Sequence, residues 1–169
     1  MTSLANLFGD EVAFRDWYDR ALPPVYRYLL ARCAGNQHLA EELAQQTFIE
    51  AVRHADGFDG RSNVVTWLCA IGRHKLVDHY RRAGRDQRRH AELVLVPPHD
   101  VWHETELRDA VEQALERLPG DHRLALIFRY LDELPVREVA RLLGRSESAT
   151  ESLLSRARDG FRRAYEADR

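Results

Sequence analysis

Two stretches of the chain concentrate side chains that can hold nucleic acid. The first gathers Trp67, Arg73, His74, Lys75, His79, Tyr80, Arg81 and Arg82 within one helical pattern. Rings stack on exposed bases and cations neutralise phosphates, so this mixture suits single-stranded or distorted DNA. Singly, Trp67 and Tyr80 also suit a helical core, and His74 and His79 a solvated face. The second stretch follows Gly144. Ser148-Ala149-Thr150-Glu151 has the S-x-x-E form of a capping box, and Arg156, Arg158, Arg162 and Arg163 come after it. The first exposed positions of such a helix can reach base edges and phosphates, and the arginines can hold the backbone. The bland alternative is a helical hairpin with a solvated arginine face.

Neither group resembles a catalytic constellation, because no nucleophile–base pair accompanies it. The two cysteines, Cys33 and Cys69, form no CxxC pair. His38 and His74 follow them at a spacing that completes no metal motif. Both cysteines read as small, partly buried residues of a reducing compartment. No metal, no cofactor and no enzymatic activity are expected.

Charge is segregated along the chain. The net charge is −2 over 169 residues. Arg61 to His90 nevertheless carries eight Lys/Arg against two Asp, and Arg141 to Tyr165 carries six arginines against three acids. Asn36 to Asp59 and Ala91 to Gly120 are acidic. Two basic zones set apart by acidic ones suggest two nucleic-acid contacts and at least one other partner surface.

The elements that must position these residues read as helices. Val12 to Ala34 has apolar residues at helical spacing, with Pro23 and Pro24 expected to bend or restart it and Gly35-Asn36 to end it. His38 to Ala55 follows, with Leu39, Leu43, Thr47, Phe48, Ala51 and Val52 on one stripe. Asp56-Gly57 and Asp59-Gly60 mark a loop. A third helix runs from about Asn63 to Arg82, with Val64, Trp67, Leu68, Ile71, Leu76 and Tyr80 inward. Residues 84–104 read as a linker, because Pro97-Pro98 and the loss of periodicity argue against a helix.

A second unit starts near Thr105, a plausible N-cap. Leu107, Ala110, Val111, Ala114, Leu115 and Leu118 make a 3.6-residue stripe. Leu124, Ile127, Phe128 and Leu131 form the next helix, and Pro135 opens a short one. Ala140 is small where two helices must meet, and Gly144 suits a left-handed turn. The last helix begins at Ser146 or Ser148. This is the layout of a helix-turn-helix. The fold class is therefore all-α, with two small helical domains, 1–83 and 105–169, joined by a flexible linker. No segment resembles a signal peptide or a membrane span, and the cytoplasm is the default location.

Taken together, these segments resemble the extracytoplasmic-function (ECF) sigma factors of the sigma-70 superfamily. LAEELAQQTFIEAVRH at Leu39–His54 is similar to that family's signature helix, and VYRYLLARC at Val25–Cys33 to the helix before it. FDGRSNVVTWLCAIGRHKLVDHYRR at Phe58–Arg82 resembles its F-x-G-x-S…W-L…R-x-x-x-x-D-x-x-R-R segment. The C-terminal third resembles its final helix-turn-helix domain. The resemblance spans most of the chain apart from the linker and the extreme termini.

The resemblance implies roles residue by residue. Glu41, Glu42, Leu43, Gln45, Gln46 and Phe48 would dock on core RNA polymerase, with Phe48 mainly core. Gly60, Arg61, Ser62 and Asn63 would help form a pocket for a base flipped from the −10 element of promoter DNA. Trp67, Arg73, His74, Lys75, Asp78, Arg81 and Arg82 would line the strand nearby. Arg145, Ser148, Thr150, Glu151, Ser152, Ser155, Arg156 and Arg158 would serve the −35 element. An anti-sigma factor is an implied partner, and the free protein is expected to be monomeric. The chain departs from the family pattern at His74, often Asn there, and at Glu151 and Leu153, often basic. Glu151 either completes the helix cap or accepts from a cytosine amino group, while Leu153 is expected to pack inward or cover Leu154.

Two other functions fit parts of this pattern. An operator-binding repressor or activator would use the same helix-turn-helix, normally as a dimer. A scaffold that occupies polymerase without binding DNA would explain Glu151 and Leu153.

Overall fold

The computed structural model describes residues 10–58, 62–89 and 106–167. Every regular element among them is helical. The chain divides into two compact units, residues 1–76 and 77–169. That division falls inside the third long helix, seven residues before the expected domain end at residue 83.

The first unit contains α1 (Glu11–Arg32), α2 (Gln37–Arg53), a short turn at Ala55–Gly57 and the opening of α3 (Val64–Arg89). Asp10 caps α1, its carboxylate accepting from the Val12 and Ala13 amides at 3.0 and 3.2 Å. Asn36 caps α2 by accepting from the Leu39 amide at 3.0 Å. Pro23 and Pro24 were expected to interrupt α1, yet the helix runs through both. The carbonyls they leave without helical donors belong to Asp19 and Arg20, which are exposed and can be hydrated. On the other face Ala21, Val25 and Leu29 are buried and hold the helix in place.

Leu29, Leu43, Phe48, Leu68 and Leu76 complete this core. Gly72 lets α3 approach closely. A β-carbon there would lie 3.1 Å from Leu29 Cδ2 and 3.2 Å from Thr47 Oγ1. Val52 leaves the expected stripe and is exposed. Val64, Trp67 and Ile71 are only half-buried.

α3 continues to Arg89, seven residues past its expected end. Arg85, Gln87, Arg88 and Arg89 are good helix formers, and Gly84 alone is too weak a breaker to stop them. The linker expected over 84–104 thus begins as helix. Its remaining residues, the Leu93–Val96 run and the Thr105 cap lie outside the described residues.

The second unit contains the end of α3 with α4 (Glu106–Glu116), α5 (Gly120–Leu126), α6 (Val136–Leu143) and α7 (Glu147–Glu166). Tyr80 of α3 is buried there, its hydroxyl accepting from Arg123 Nη1 at 2.9 Å. α5 widens into a π turn over Ile127–Leu131, with the Asp132 amide bonded to the Ile127 carbonyl at 3.0 Å. That wider turn rotates Leu131 off the apolar stripe, so it is exposed rather than part of the core. The core is built on Ala114, Leu124, Phe128, Val139, Leu143, Leu154 and Ala157.

The helix-turn-helix forms as the residue types require. Gly144 takes the left-handed conformation, φ +60° and ψ 41°. Its amide donates to the Arg141 carbonyl and the Arg145 amide to the Ala140 carbonyl, at 3.3 and 2.9 Å. These are the two bonds of a Schellman cap. Ser146, not Ser148, caps α7, its hydroxyl accepting from the Ala149 amide at 3.2 Å. The Ser148–Glu151 capping box therefore does not form, because α7 has already begun two residues earlier.

Candidate functional site

α7 separates its residues into two faces. Thr150, Leu153, Leu154 and Ala157 are buried on one side. Ser148, Glu151, Ser152, Ser155, Arg156 and Arg158 are exposed on the other. Thr150 was expected to read DNA, but it is fully buried and its hydroxyl donates to the Ser146 carbonyl at 2.9 Å. Two residues, about 200° of rotation, separate it from Ser148 and Ser152, so it cannot share their face. Leu153 packs inward as expected.

Glu151 is exposed and takes no part in the cap. Arg145 pairs with Asp121 of α5. Arg156 Nε donates to the Ser152 carbonyl at 3.3 Å, and Arg158 Nη1 to the Tyr130 hydroxyl at 3.3 Å.

The same separation holds on α3. His74, Asp78 and Arg82 are exposed, on the side away from the buried Leu68, Leu76 and Tyr80. Trp67 lies on that outer side, half-buried against Phe58 with ring centroids 5.2 Å apart. Arg81 shares the outer face, with Nη2 donating to the Leu142 carbonyl at 3.3 Å.

Arg73 and Lys75 sit on the flanks of α3 and are held by neighbouring helices. Arg73 Nε donates to the Tyr28 hydroxyl at 3.1 Å. Lys75 Nζ lies 2.8 Å from Glu50 Oε2, and His54 Nε2 lies 3.0 Å from Glu50 Oε1. The hydrogen bond from Lys75, with the nearby positive charges, holds the Glu50 carboxyl below its ordinary range despite some desolvation. Asn63 caps the start of α3, accepting from the Val65 amide at 2.8 Å, and Ser62 beside it is exposed. Gly60 and Arg61 lie outside the described residues.

On α2 the expected polymerase-binding set divides. Leu43 and Phe48 are core residues, 1% and 4% exposed, and contribute no outer surface. Glu41, Glu42 and Gln45 are exposed, and Gln46 Nε2 donates to Glu42 Oε1 at 2.9 Å. Ile49 and Val52, which sequence reasoning missed, are exposed beside them. Gln45, Ile49 and Val52 follow i, i+4 and i+7 spacing, so they line one stripe. An apolar side chain one turn beyond Gln45 was the available signal.

Comparison with known proteins gives this geometry a family. Residues 17–86 match the family described as Sigma-70 region 2, and residues 108–159 match Sigma-70, region 4. The chain is 31% identical over 156 residues to the ECF RNA polymerase sigma factor SigM of Bacillus subtilis, covering 88% of this chain and 92% of that protein. It is 29% identical over 169 residues to the ECF RNA polymerase sigma factor SigW of the same organism, covering 92% and 90%. Among solved structures it is similar to the sigma factor RpoE in complex with the anti-sigma factor NepR from Bartonella quintana. That match has a TM-score of 0.61 at 25% identity and covers 92% of this chain and 98% of that one. CnrH in complex with the cytosolic domain of CnrY matches with a TM-score of 0.55 at 25% identity, over 98% and 97% of the two chains. By sequence and by fold, this chain belongs to the extracytoplasmic-function RNA polymerase sigma factors.

Proposed function

We propose that this sigma factor docks on core RNA polymerase through the outer face of α2 and reads a promoter with the outer faces of α3 and α7. Glu41, Glu42 and Gln45 supply the polar part of the docking face, and Ile49 and Val52 its apolar part. Trp67, His74, Asp78, Arg81 and Arg82 meet the melted −10 strand, flanked by Arg73 and Lys75, with Ser62 and Asn63 at the mouth of the base pocket. Ser148, Glu151, Ser152, Ser155 and Arg156 face the −35 duplex. The observation that carries this reading is the sorting of charge by face. An acidic face with an apolar stripe lies on α2, while Arg82 is exposed on α3 and Arg156, Arg158, Arg162 and Arg163 are exposed on α7.

The protein acts by binding rather than by covalent catalysis, and it works in the cytoplasm. No helix among the described residues is long and apolar enough to cross a membrane. An anti-sigma factor is the expected antagonist, since both structural neighbours are held in such complexes or beside a partner's cytosolic domain.

Run-off transcription with core polymerase on a randomised promoter library tests the reading. Initiation from a defined subset of promoters is expected. Folded protein that binds polymerase but starts no transcript from any library member would overturn it. A stable dimer that binds a palindromic duplex without polymerase would instead support an operator-binding regulator.

A further inference from the structure

The second unit holds an open cleft of about 450 Å³ beside the outer face of α7. Arg117, His122, Arg156 and Arg163 line it, with Asp159 the one acid among the lining residues. Leu118 forms an apolar wall, and Gly160 leaves the α7 side open. A β-carbon at Gly160 would come within 3.1 Å of Leu118 Cδ2. Arg156 and Arg163 are seven residues apart on α7, so they share a stripe and stand roughly 10 Å apart along the axis. Arg117 is fixed across the cleft, with Nη1 donating to the Ala164 carbonyl at 3.3 Å.

We propose that this cleft is a phosphate clamp for the backbone of the −35 duplex, formed by Arg156 and Arg163 of α7 with His122 of α5. The inference rests on the proposed reading of α7. It adds a second element, α5, that the family resemblance did not assign to DNA. Continuity supports the choice of ligand. Arg156 both borders the exposed reading face and lines the cleft, so DNA held by that face passes the cleft mouth. In helix-turn-helix proteins the start of the reading helix meets base edges while flanking parts meet the backbone. Arg163 lies far from the start of α7, where contact with the backbone is the natural fit.

His122 makes the clamp responsive to proton concentration. Burial lowers its basicity, and the Arg156 charge adds to that, with Arg145 contributing and Asp121 opposing. Arg163, Arg117 and Asp159 line the same cleft from α7 and the end of α4. The imidazole of the free protein therefore stays neutral to lower pH than an ordinary histidine does. A phosphodiester seated beside it favours the imidazolium, so DNA binding takes up a proton. Affinity then rises as pH falls through the value His122 has in the complex.

The test uses holoenzyme assembled from core polymerase and full-length protein, bound to a labelled promoter recovered from the library. Binding is measured against salt and against pH for the parent, Arg163→Gln, His122→Asn and Arg156→Gln. Arg163→Gln is expected to reduce the salt slope by about 0.9, which is roughly an eightfold change in affinity per tenfold change in salt. It should do so equally on strong and weak promoters. His122→Asn should flatten the rise in affinity on acidification. Arg163 is exposed, so an unchanged Tm for its variant separates loss of contact from loss of fold. If both cleft variants keep the parent's slope and pH profile while Arg156→Gln loses affinity, the clamp is overturned and the reading face stands. If the parent itself binds no promoter, the underlying reading fails and the clamp with it.

Discussion

The two helices proposed to face DNA hold their cations in different ways. On α3, Arg73 is fixed by Tyr28 of α1 and Lys75 by Glu50 of α2, both across helix interfaces. On α7, Arg156 bonds the carbonyl of its own Ser152, and Arg162 lies 3.9 Å from its own Asp159. Arg158, which reaches Tyr130, is the exception. The contrast suits the two forms of DNA proposed for these faces. A duplex presents phosphates on a regular lattice, so arginines held only within their own helix can find them without anchoring from a neighbouring one. A melted strand brings no such lattice, and side chains fixed in advance lose less entropy when they capture it.

The largest expected effect on this comparison concerns the buried face of α7. Leu153 stands where a basic residue would serve the backbone, yet it is 3% exposed. Leu153→Ala should lower the stability of the second unit by about 2–5 kcal/mol, as buried leucines do. Urea unfolding followed by far-UV circular dichroism would measure this. Leu153→Met should cost less than about 1.5 kcal/mol. If Leu153→Arg were tolerated and tightened promoter binding, the assignment of faces on α7 would be reversed.

A smaller effect separates the two serines at the start of α7. Ser146→Ala removes the cap and should cost about 1 kcal/mol of stability. Ser148→Ala removes an exposed hydroxyl and should change stability by less than about 0.5 kcal/mol. The second variant should instead weaken binding to the −35 duplex. Thermal unfolding and duplex titration of both proteins read the two effects apart, and equal loss of stability would restore the capping box.

Much of this was legible in the sequence, for physical reasons that can be named. Gly144 announced its turn because few other residues adopt a positive φ cheaply, and the apolar stripes of α4 to α7 announced a helical unit. The cap of α7 was ambiguous because Ser146 and Ser148 are both good caps, and S-x-x-E pointed to the later one. That two-residue shift turned Thr150 from an expected reader into core. Leu43 and Phe48 carried an expected docking role because they lie within the signature segment, although their own periodicity placed them inside. Ile49 went unnoticed and Val52 was assigned to the core stripe, since an exposed apolar residue leaves no mark of its own in a pattern read for its core. The π turn at Ile127–Leu131 has no compositional signal at all, so the exposure of Leu131 could only be seen in the fold.

A third effect sharpens the α3 side. Glu50 is held below its ordinary range first by the hydrogen bond from Lys75, with the Lys75, His54 and Arg53 charges adding to it and desolvation opposing. A group whose folded value is lowered stabilises the protein above its unfolded value. That contribution disappears as pH falls through the lowered value. Tm should therefore decline on acidification below the usual glutamate range, and Glu50→Gln should decline less steeply there. Parallel Tm profiles would show that the Glu50–Lys75 pair does not hold α3 to α2. The same variant leaves Lys75 without its carboxylate, and a steeper salt dependence of promoter binding should follow.

The smallest effect bears on the departure that sets α7 apart. Glu151 is exposed and, with the cap assigned to Ser146, has no structural duty on its helix. Near a DNA backbone it either repels phosphate or accepts from a cytosine amino group. Glu151→Gln removes the repulsion while keeping an acceptor. Binding should tighten by a few-fold on every promoter if repulsion dominates, because the electrostatic term carries no sequence information. If Glu151 reads cytosine, the substitution should instead weaken the best promoters and narrow their advantage over the rest. Ranking the library promoters by affinity for parent and variant decides between the two. The outcome also fixes whether Glu151 serves α7 as a reader or only weakens the hold of its cations.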